Sequence, residues 1–508
     1  MNCQAGRAPK MLLALLTLLT LLTLVALLTL VTLAAPGCAP APGATTAPKA
    51  QTVSTIPLLG GPIYFLDGQA LSPDGNWAAI MAANGGQKQE LRLYPATGGE
   101  GRTLAEVSAV QLEAGTLMLC PLGWSKHDEL VFARQGTQPD GPHQGQRGVS
   151  LRVTDPQTGD TREAGWVPVP PDKYVNEMYP VAGEAVFIYA GETVYRIPLD
   201  GGGPQVVKPD LASFGGPFAP RPSPDGAYLA YENFAEDGTG VWVAAAATGA
   251  ETCIAPRGQT WSFYPAWSPD GRHVAYYTAA GKTGSEDTFE GYDMVPAEDG
   301  PRPAAGAIDV ATPDGRQVAH LTLGDYKLAQ FTWAEDSQRL AFATCTFVPD
   351  PAGDPLAAGL AWDALYLASL DGAPAKVADL AGSAALDVFP LYICEGNDGV
   401  YYMTYEESGF ALWLGRPGKK PRRLDLPEAT GGGFWPTFPV LSYKQGIFLP
   451  YDLANARYLV QAFKDQLVVL ATGGEGTYFA GLAGRRLAYT VSDPATGATS
   501  LVVVEFAP

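Results

Sequence analysis

Residues Tyr264 to Tyr277 read YPAWSPDGRHVAYY. Two short apolar runs are joined by Ser268-Pro269-Asp270-Gly271. Pro269 presets φ for the first corner of a turn. Asp270 can hydrogen-bond the local backbone, and Gly271 can take a positive φ without steric cost. Two strands joined in this way form a hairpin.

The same core recurs along the chain. Ser72-Pro73-Asp74-Gly75 precedes Trp77-Ala78-Ala79-Ile80, and Ser223-Pro224-Asp225-Gly226 precedes Tyr228-Leu229-Ala230-Tyr231. Looser copies run from Trp124 into Leu130-Val131-Phe132, from Gly183 into Ala185–Tyr189, and from Trp333 into Leu340-Ala341-Phe342. Weaker ones lie within 390–402, 439–449 and 481–489. A second hairpin with its own Gly turn follows each core, as in LRLYPATGGEGRT from Leu91 and VYRIPLDGGGPQVV from Val194. One repeat is therefore four strands. The cores lie about 42 to 66 residues apart, and four-stranded repeats at about 40–50 residues are the mark of an all-β fold, a single β-propeller. Nine cores can be counted, but those near Gly183 and Ser442 are faint. The expectation is eight blades, with nine and seven as alternatives. The last core is followed by Leu501–Phe506 only, and Thr52–Leu58 stands ahead of the first core without a blade. The N-terminal strand is thus expected to complete the final blade and close the ring, removing an exposed sheet edge.

Composition agrees. The chain has 508 residues with 59 Gly and 44 Pro, which recur between apolar runs as turn signals. A net charge of −19 argues against a nucleic-acid partner. His127, His143, His273 and His320 form no metal-binding spacing, and no CxxC pair occurs.

The N-terminus reads as an address. Arg7 and Lys10 precede an apolar run from Met11 to Leu33, then Ala34-Ala35-Pro36-Gly37-Cys38. This is the layout of an export signal. Gly37-Cys38 resembles a bacterial lipoprotein signal, which implies lipidation of Cys38; the family pattern differs at Ala35 and Pro36. The apolar run is also long enough to act as an uncleaved signal anchor, and plain secretion is the third option. The division read from sequence is 1–37 as signal peptide or anchor, 38–51 as lipidated Cys and flexible Pro/Ala/Thr linker, and 52–508 as propeller. Each option places the propeller outside the cytoplasm, in the bacterial cell envelope.

The W-S-P-D-G-x-x-[LV]-A-[YF] core resembles the WD40-like PD40 repeat of the TolB family, which also occurs in the propellers of prolyl oligopeptidases and dipeptidyl peptidases. The resemblance covers most of residues 60–506. It implies a propeller and leaves function open. TolB-like use implies a rigid disc that presents one face to protein partners. A peptidase domain is not expected, because no G-x-S-x-G occurs and helical periodicity is nearly absent after residue 35.

Departures from the repeat locate candidate function, since loops on a rigid scaffold vary freely. Three repeats carry long insertions between their second and third strands: Arg134–Arg147, Ala280–Ala304 and Cys345–Trp362. All three are expected on one rim. In the second, Glu286, Asp287, Phe289, Glu290, Tyr292 and Asp293 form an acidic, aromatic-tipped loop suited to a cation, a basic peptide or a sugar. The alternative is a solvated loop whose aromatics pack back onto the blade. It lacks the EF-hand spacing, so Ca2+ has no motif behind it and no cofactor is expected. Asp74, Gly75, Asp225, Gly226, Asp270 and Gly271 read as structural turn residues rather than as acid–base or metal groups. Cys120, Cys253, Cys345 and Cys394 would remain after export, and disulfide connectivity among them stays open.

The resulting expectation is a monomeric, non-catalytic binding or scaffold protein of the envelope with a protein or glycan partner. It would be held to the membrane by the N-terminal lipid or anchor. One alternative is a propeller enzyme, lyase or hydrolase, with carboxylates at the axial channel. The other is a solute-sensing module.

Overall fold

The computed structural model describes residues 49–507, except 59–62, 65–68, 84–87, 114–116, 212–218, 236–237, 256–259, 281–304, 325–326, 349–358, 384, 386, 394–398, 407–408, 426–432, 435–441, 444–445 and 454–455. Cys38 and the leader lie outside the described residues. Apart from a five-residue helix, Ala109–Glu113, every regular element named among them is a strand.

The strands build a propeller of nine blades, at 63–108, 117–168, 175–208, 221–255, 260–324, 327–379, 387–424, 442–473 and 478–506. Seven blades are separate four-stranded antiparallel sheets. Blades 7 and 8 are fused into one sheet by Gly433–Phe434, where Phe434 pairs with both Phe410 and Tyr451. The ninth blade takes its outermost strand from the start of the chain: Ala50–Pro57 pairs antiparallel with Thr499–Phe506. This is the closure expected from the sequence, although the strand begins two residues ahead of the predicted boundary.

Nine blades replace the eight expected. The faint core near Gly183 is a complete blade whose second strand, Ala185–Ala190, is buried along its whole length. Its turn is only tighter, closed by Ala182 and Ala185 without the Ser-x-Asp signature. The faint core near Ser442 is also a blade, with an innermost strand of two residues, Ser442–Tyr443. Short turns and short inner strands weaken a repeat in sequence without removing it from the ring.

Nine hydrophobic clusters match nine seams. The [LV]-A-[YF] core shows how. In blade 4, Leu229 and Tyr231 pack into the seam with blade 3, while Ala230 faces blade 5. In blade 5, Val274 and Tyr276 face blade 4 and Ala275 faces blade 6. Blade 6 repeats this with Leu340, Ala341 and Phe342. Alternation along a strand sends large side chains to one neighbour and the small one to the other, so adjacent sheets interdigitate. The last seam joins Leu501, Val503 and Ala488 of blade 9 to Ala78 and Ile80 of blade 1.

The connectivity gives the propeller two unlike faces. Ser-Pro-Asp-Gly turns link first to second strands on one face, here the turn face. Loops from second to third strands, and connections between blades, share the other, the insertion face.

Candidate functional site

On the turn face the repeated carboxylates are tied into their own turns. Ser72 Oγ donates to Asp74 Oδ1 at 2.5 Å, which also accepts from the Asn76 N–H. Ser223 with Asp225, and Ser268 with Asp270, repeat the arrangement at 2.5 and 2.7 Å. Partial burial acts to raise the Asp74 and Asp270 carboxyls, but the serine and backbone hydrogen bonds outweigh it and hold both below the ordinary range. Gly75, Gly226 and Gly271 have φ of 70°, 68° and 69°. Asp128 and Ser337 occupy the same left-handed corner in blades 2 and 6.

Neighbouring turns also hold each other. The Asp74 N–H donates to Asp128 Oδ1, the Gly183 N–H to Pro224 O and the Asp270 N–H to Ser337 Oγ, all at 2.9–3.0 Å. Arg486 Nη1 reaches back from blade 9 to Gly75 O. The core tryptophans act likewise: Trp124, Trp267 and Trp333 Nε1 donate to the preceding blade, at Gln69 O and at Arg221 O and Ala266 O of its innermost strand. They are staples between blades rather than ligand platforms.

On the insertion face, Glu286, Asp287, Phe289, Glu290, Tyr292 and Asp293 lie outside the described residues. Their flanking strands are described: Ala280 pairs with Ala305, so the segment leaves and rejoins blade 5 at one point. The blade 2 insertion is described throughout. Its strands run further than the sequence suggested, with Thr137 opposite Arg147, which leaves 138–146 as the loop. Arg134 Nη1 binds Asp140 Oδ1 at 2.9 Å. Gln138, almost fully buried, donates through Nε2 to Arg134 O and Gly136 O. The His143 ring lies flat on Trp166, 4.3 Å between centroids and 8° from parallel. His143 Nε2 is 3.2 Å from Glu163 Oε1, and Ser150 Oγ donates to Glu163 Oε2 at 2.6 Å. Trp166 covers Gly148 so closely that an added Cβ would lie 2.5 Å from its ring. The loop is therefore built onto the blade.

Exposed apolar surface collects on the same face. Among the described residues seven large hydrophobic side chains are exposed. Val110 (75%) and Tyr174 (73%) lie in the connections into blades 2 and 3. Met118 and Tyr478 sit at the starts of innermost strands, and Tyr405 at the end of a second strand, all at this rim. Val206 and Val469 are on outermost strands. None is on the turn face.

One carboxylate breaks the apolar pattern of the seams. Glu232, in the second strand of blade 4, is 1% exposed. Counting four residues on from the residue whose carbonyl closes the turn gives Met81, Ala133, Tyr189, Tyr277 and Ala343 in blades 1, 2, 3, 5 and 6, and Glu232 in blade 4. Its Oε1 accepts from the Tyr264 N–H at 2.7 Å, and its Oε2 has no partner among the described residues. Tyr264 has a φ of 58° and sits in a register shift between Phe263 and Ala266, which turns its N–H out of the strand ladder. Burial pushes the Glu232 carboxyl up to about 7, against the Tyr264 hydrogen bond and the charge of Arg221 on the innermost strand. The sequence reading stopped at Tyr231 and missed this residue. A charge at an apolar repeat position was the available signal.

Among the described residues no group of three or more His, Cys, Asp or Glu side chains is placed to hold a metal ion. Burial pushes the Cys120 thiol up to about 11, which makes it a poor nucleophile. Cys345 packs against Trp362 in the seam of blades 6 and 7, and Cys394 lies outside the described residues.

No protein-family model matches the sequence, and no curated protein is significantly similar to it. Among solved structures, dipeptidyl peptidase 4 of Porphyromonas gingivalis is similar over 89% of this chain and 58% of its own, at 12% identity and a TM-score of 0.44. A putative dipeptidyl aminopeptidase IV from Bacteroides ovatus matches 74% of this chain and 57% of its own, at 12% identity and 0.43. Oligogalacturonate lyase from Vibrio parahaemolyticus matches 73% of this chain and 98% of its own, at 12% identity and 0.36. The chain spans little more than half the length of the two peptidases. At these TM-scores the neighbours carry no argument about the site.

Proposed function

We propose that the chain is a non-catalytic binding and scaffold protein of the bacterial cell envelope, a TolB-like PD40 propeller that offers its insertion face to a protein or glycan partner. The observation that carries this reading is the asymmetry between faces. Among the described residues five of the seven exposed large hydrophobic side chains stand on the insertion face, which also carries a loop braced by Arg134–Asp140 and His143–Trp166. Exposed aromatic and aliphatic groups on a rigid support are the usual anchors of an interface. The acidic balance of the chain favours a neutral or basic partner over nucleic acid.

The address belongs to the same proposal. The segment 1–37 directs export, Cys38 is lipidated, and the residues from 39 up to the closing strand at Ala50 tether the disc. Among the described residues no helix is long and apolar enough to cross a membrane. A Cys38→Ser variant is expected to lose incorporation of labelled fatty acid; retained labelling would remove the lipoprotein assignment.

The test of the binding face is site-specific photo-crosslinking in the source cells. A crosslinking residue at Tyr174 or Val110 is expected to trap one partner, and the same residue at Asn76 on the turn face none. Adducts from Asn76 alone would place the interface on the other side. Turnover of a glycan, ester or lactone by purified protein, abolished by substitution of a single carboxylate, would instead establish the channel enzyme.

A further inference from the structure

Glu232 is a carboxylate sealed inside an apolar seam, and nothing in the binding face explains it. Glu232 pairs with Val241 across the sheet, and the buried apolar residues of this seam include Ala230, Val241, Val243, Val274 and Tyr276. The Tyr276 hydroxyl donates to Ile254 O, so it is engaged elsewhere. Among the described residues the titratable and charged groups near the seam are few. Arg221 comes from the innermost strand of blade 4 and is itself exposed. From blade 5 come Tyr264, through its backbone N–H, and the Tyr276 phenol, with Asp309 and Cys253 beside the latter. Asp309 is already held by Gln317 Nε2 and His320 Nδ1 at 2.8 and 2.7 Å.

An ionised carboxylate with one neutral donor cannot remain in such a place without water or a cation. A neutral carboxyl can. The bond it accepts also bears on the backbone: Tyr264 is a bulky residue in the left-handed region, a conformation that costs of order 1–3 kcal/mol and persists only where its surroundings hold it. The Tyr264 N–H to Glu232 bond is one of those restraints.

We propose that Glu232 is a pH-operated latch between blades 4 and 5: when neutral it stays in the closed, dry seam, and when ionised it draws water into the seam and loosens the facing strand at the Tyr264 bulge. The loosened segment is part of the innermost strand Thr260–Trp267, so the inner edge of blade 5 becomes the responsive element. The proton leaves to solvent, and no other reactant is involved. The latch is closed on the acid side of neutrality and opens on the alkaline side.

Hydrogen exchange of the full chain tests this. Peptides covering 260–267 are compared at pH 5.5, 7.0 and 8.5 after correction for the intrinsic pH dependence of exchange, with 117–124 of blade 2 as reference. Protection at 260–267 is expected to fall most steeply between pH 5.5 and 7.0, by up to roughly tenfold per pH unit, and to level off by pH 8.5, while 117–124 stays constant. Glu232→Gln and Glu232→Met are both expected to abolish the response; Met is the residue found at this position in blade 1 as Met81. A flat wild-type profile would overturn the proposal. So would a Glu232→Gln or Glu232→Met profile that still follows the wild type. Should neither variant fold, a carbon-13 titration of the Glu232 carboxyl in the wild-type chain decides: a midpoint near that of free glutamate rules the latch out, and one near neutrality supports it.

Discussion

The two faces of the propeller are made from the same repeat and behave in opposite ways. On the turn face each Ser-x-Asp-Gly corner satisfies its own backbone and then bonds to the corner of a neighbouring blade. Its polar groups are engaged with one another, and no large apolar side chain is exposed there among the described residues. On the insertion face the repeat imposes no common loop. Val110 and Tyr174 project from two different connections and Tyr405 from the end of a second strand, and the 138–146 loop is braced by contacts within blade 2. The turn face thus fixes the disc, which leaves the other face free to differ from blade to blade. Changes at the turn face should cost stability, and changes at the insertion face should cost binding.

The largest expected effect is at the junction of the turns of blades 3 and 4. Gly226 has a positive φ, and a Cβ there would lie 2.3 Å from Ala182 O. Gly226→Ala combines left-handed strain with a backbone collision and is expected to destabilise by roughly 3 kcal/mol. Gly497, at φ +70° with nothing within 4 Å of its added Cβ, supplies the contrast. Gly497→Ala should cost only about 1 kcal/mol, the strain alone. Urea unfolding of both variants measures the difference. Equal losses would show that the contact between turns contributes nothing.

The seam at Glu232 gives a comparable effect that depends on pH. Its carboxyl is raised from 4.5 to about 7 in the fold. The sign follows: the stabilising contribution is complete below about pH 4.5, and it is lost as pH rises through about 7. The span corresponds to about 3 kcal/mol. Melting temperature measured from pH 5 to 8.5 should fall more steeply for wild type than for Glu232→Gln. Parallel curves would mean that other groups set the pH dependence.

A smaller effect is expected at the staples. Trp267→Phe keeps most of the apolar contact with Tyr228 but removes the Nε1 bond to Arg221 O. The expected loss is about 1–1.5 kcal/mol, that of one hydrogen bond between neutral groups. Phe at Trp124 or Trp333 should behave the same way, since each donates to the preceding blade from the same repeat position. A neutral result at all three would reduce the indole nitrogens to bystanders.

The same contrast explains what could be read from the residues. Ser-Pro-Asp-Gly is legible because each residue is required by the local backbone, and local requirements are written in consecutive letters. Closure by Ala50–Pro57 was legible because a strand was left without a partner at each end. The blade count was not, because Ala182-Gly183-Glu184 makes a turn without the signature and Ser442–Tyr443 is only two residues long. Glu232 was missed for a different reason. Alternation says that a residue faces a seam, but not that the seam is sealed around it; that depends on Val241, Val274 and Tyr276 arriving from other strands. The exposed apolar groups likewise come from separate connections and strand ends that only the fold brings to one face.

The smallest effect on stability falls on the insertion face, and there it is the most informative. Tyr174 is 73% exposed and precedes the innermost strand of blade 3. Replacing it removes little buried contact, so Tyr174→Ser should change unfolding free energy by no more than about 0.5 kcal/mol. The same holds for Val110→Ser. If this face is the binding surface, the pair should nonetheless weaken partner crosslinking by tenfold or more, because an exposed aromatic anchor gains its value only when the partner covers it. The reverse pattern, lost stability with unchanged crosslinking, would mean that the apolar groups support the disc, and the division of labour between the two faces would fail. Stability and crosslinking measured on the same variant separate these outcomes.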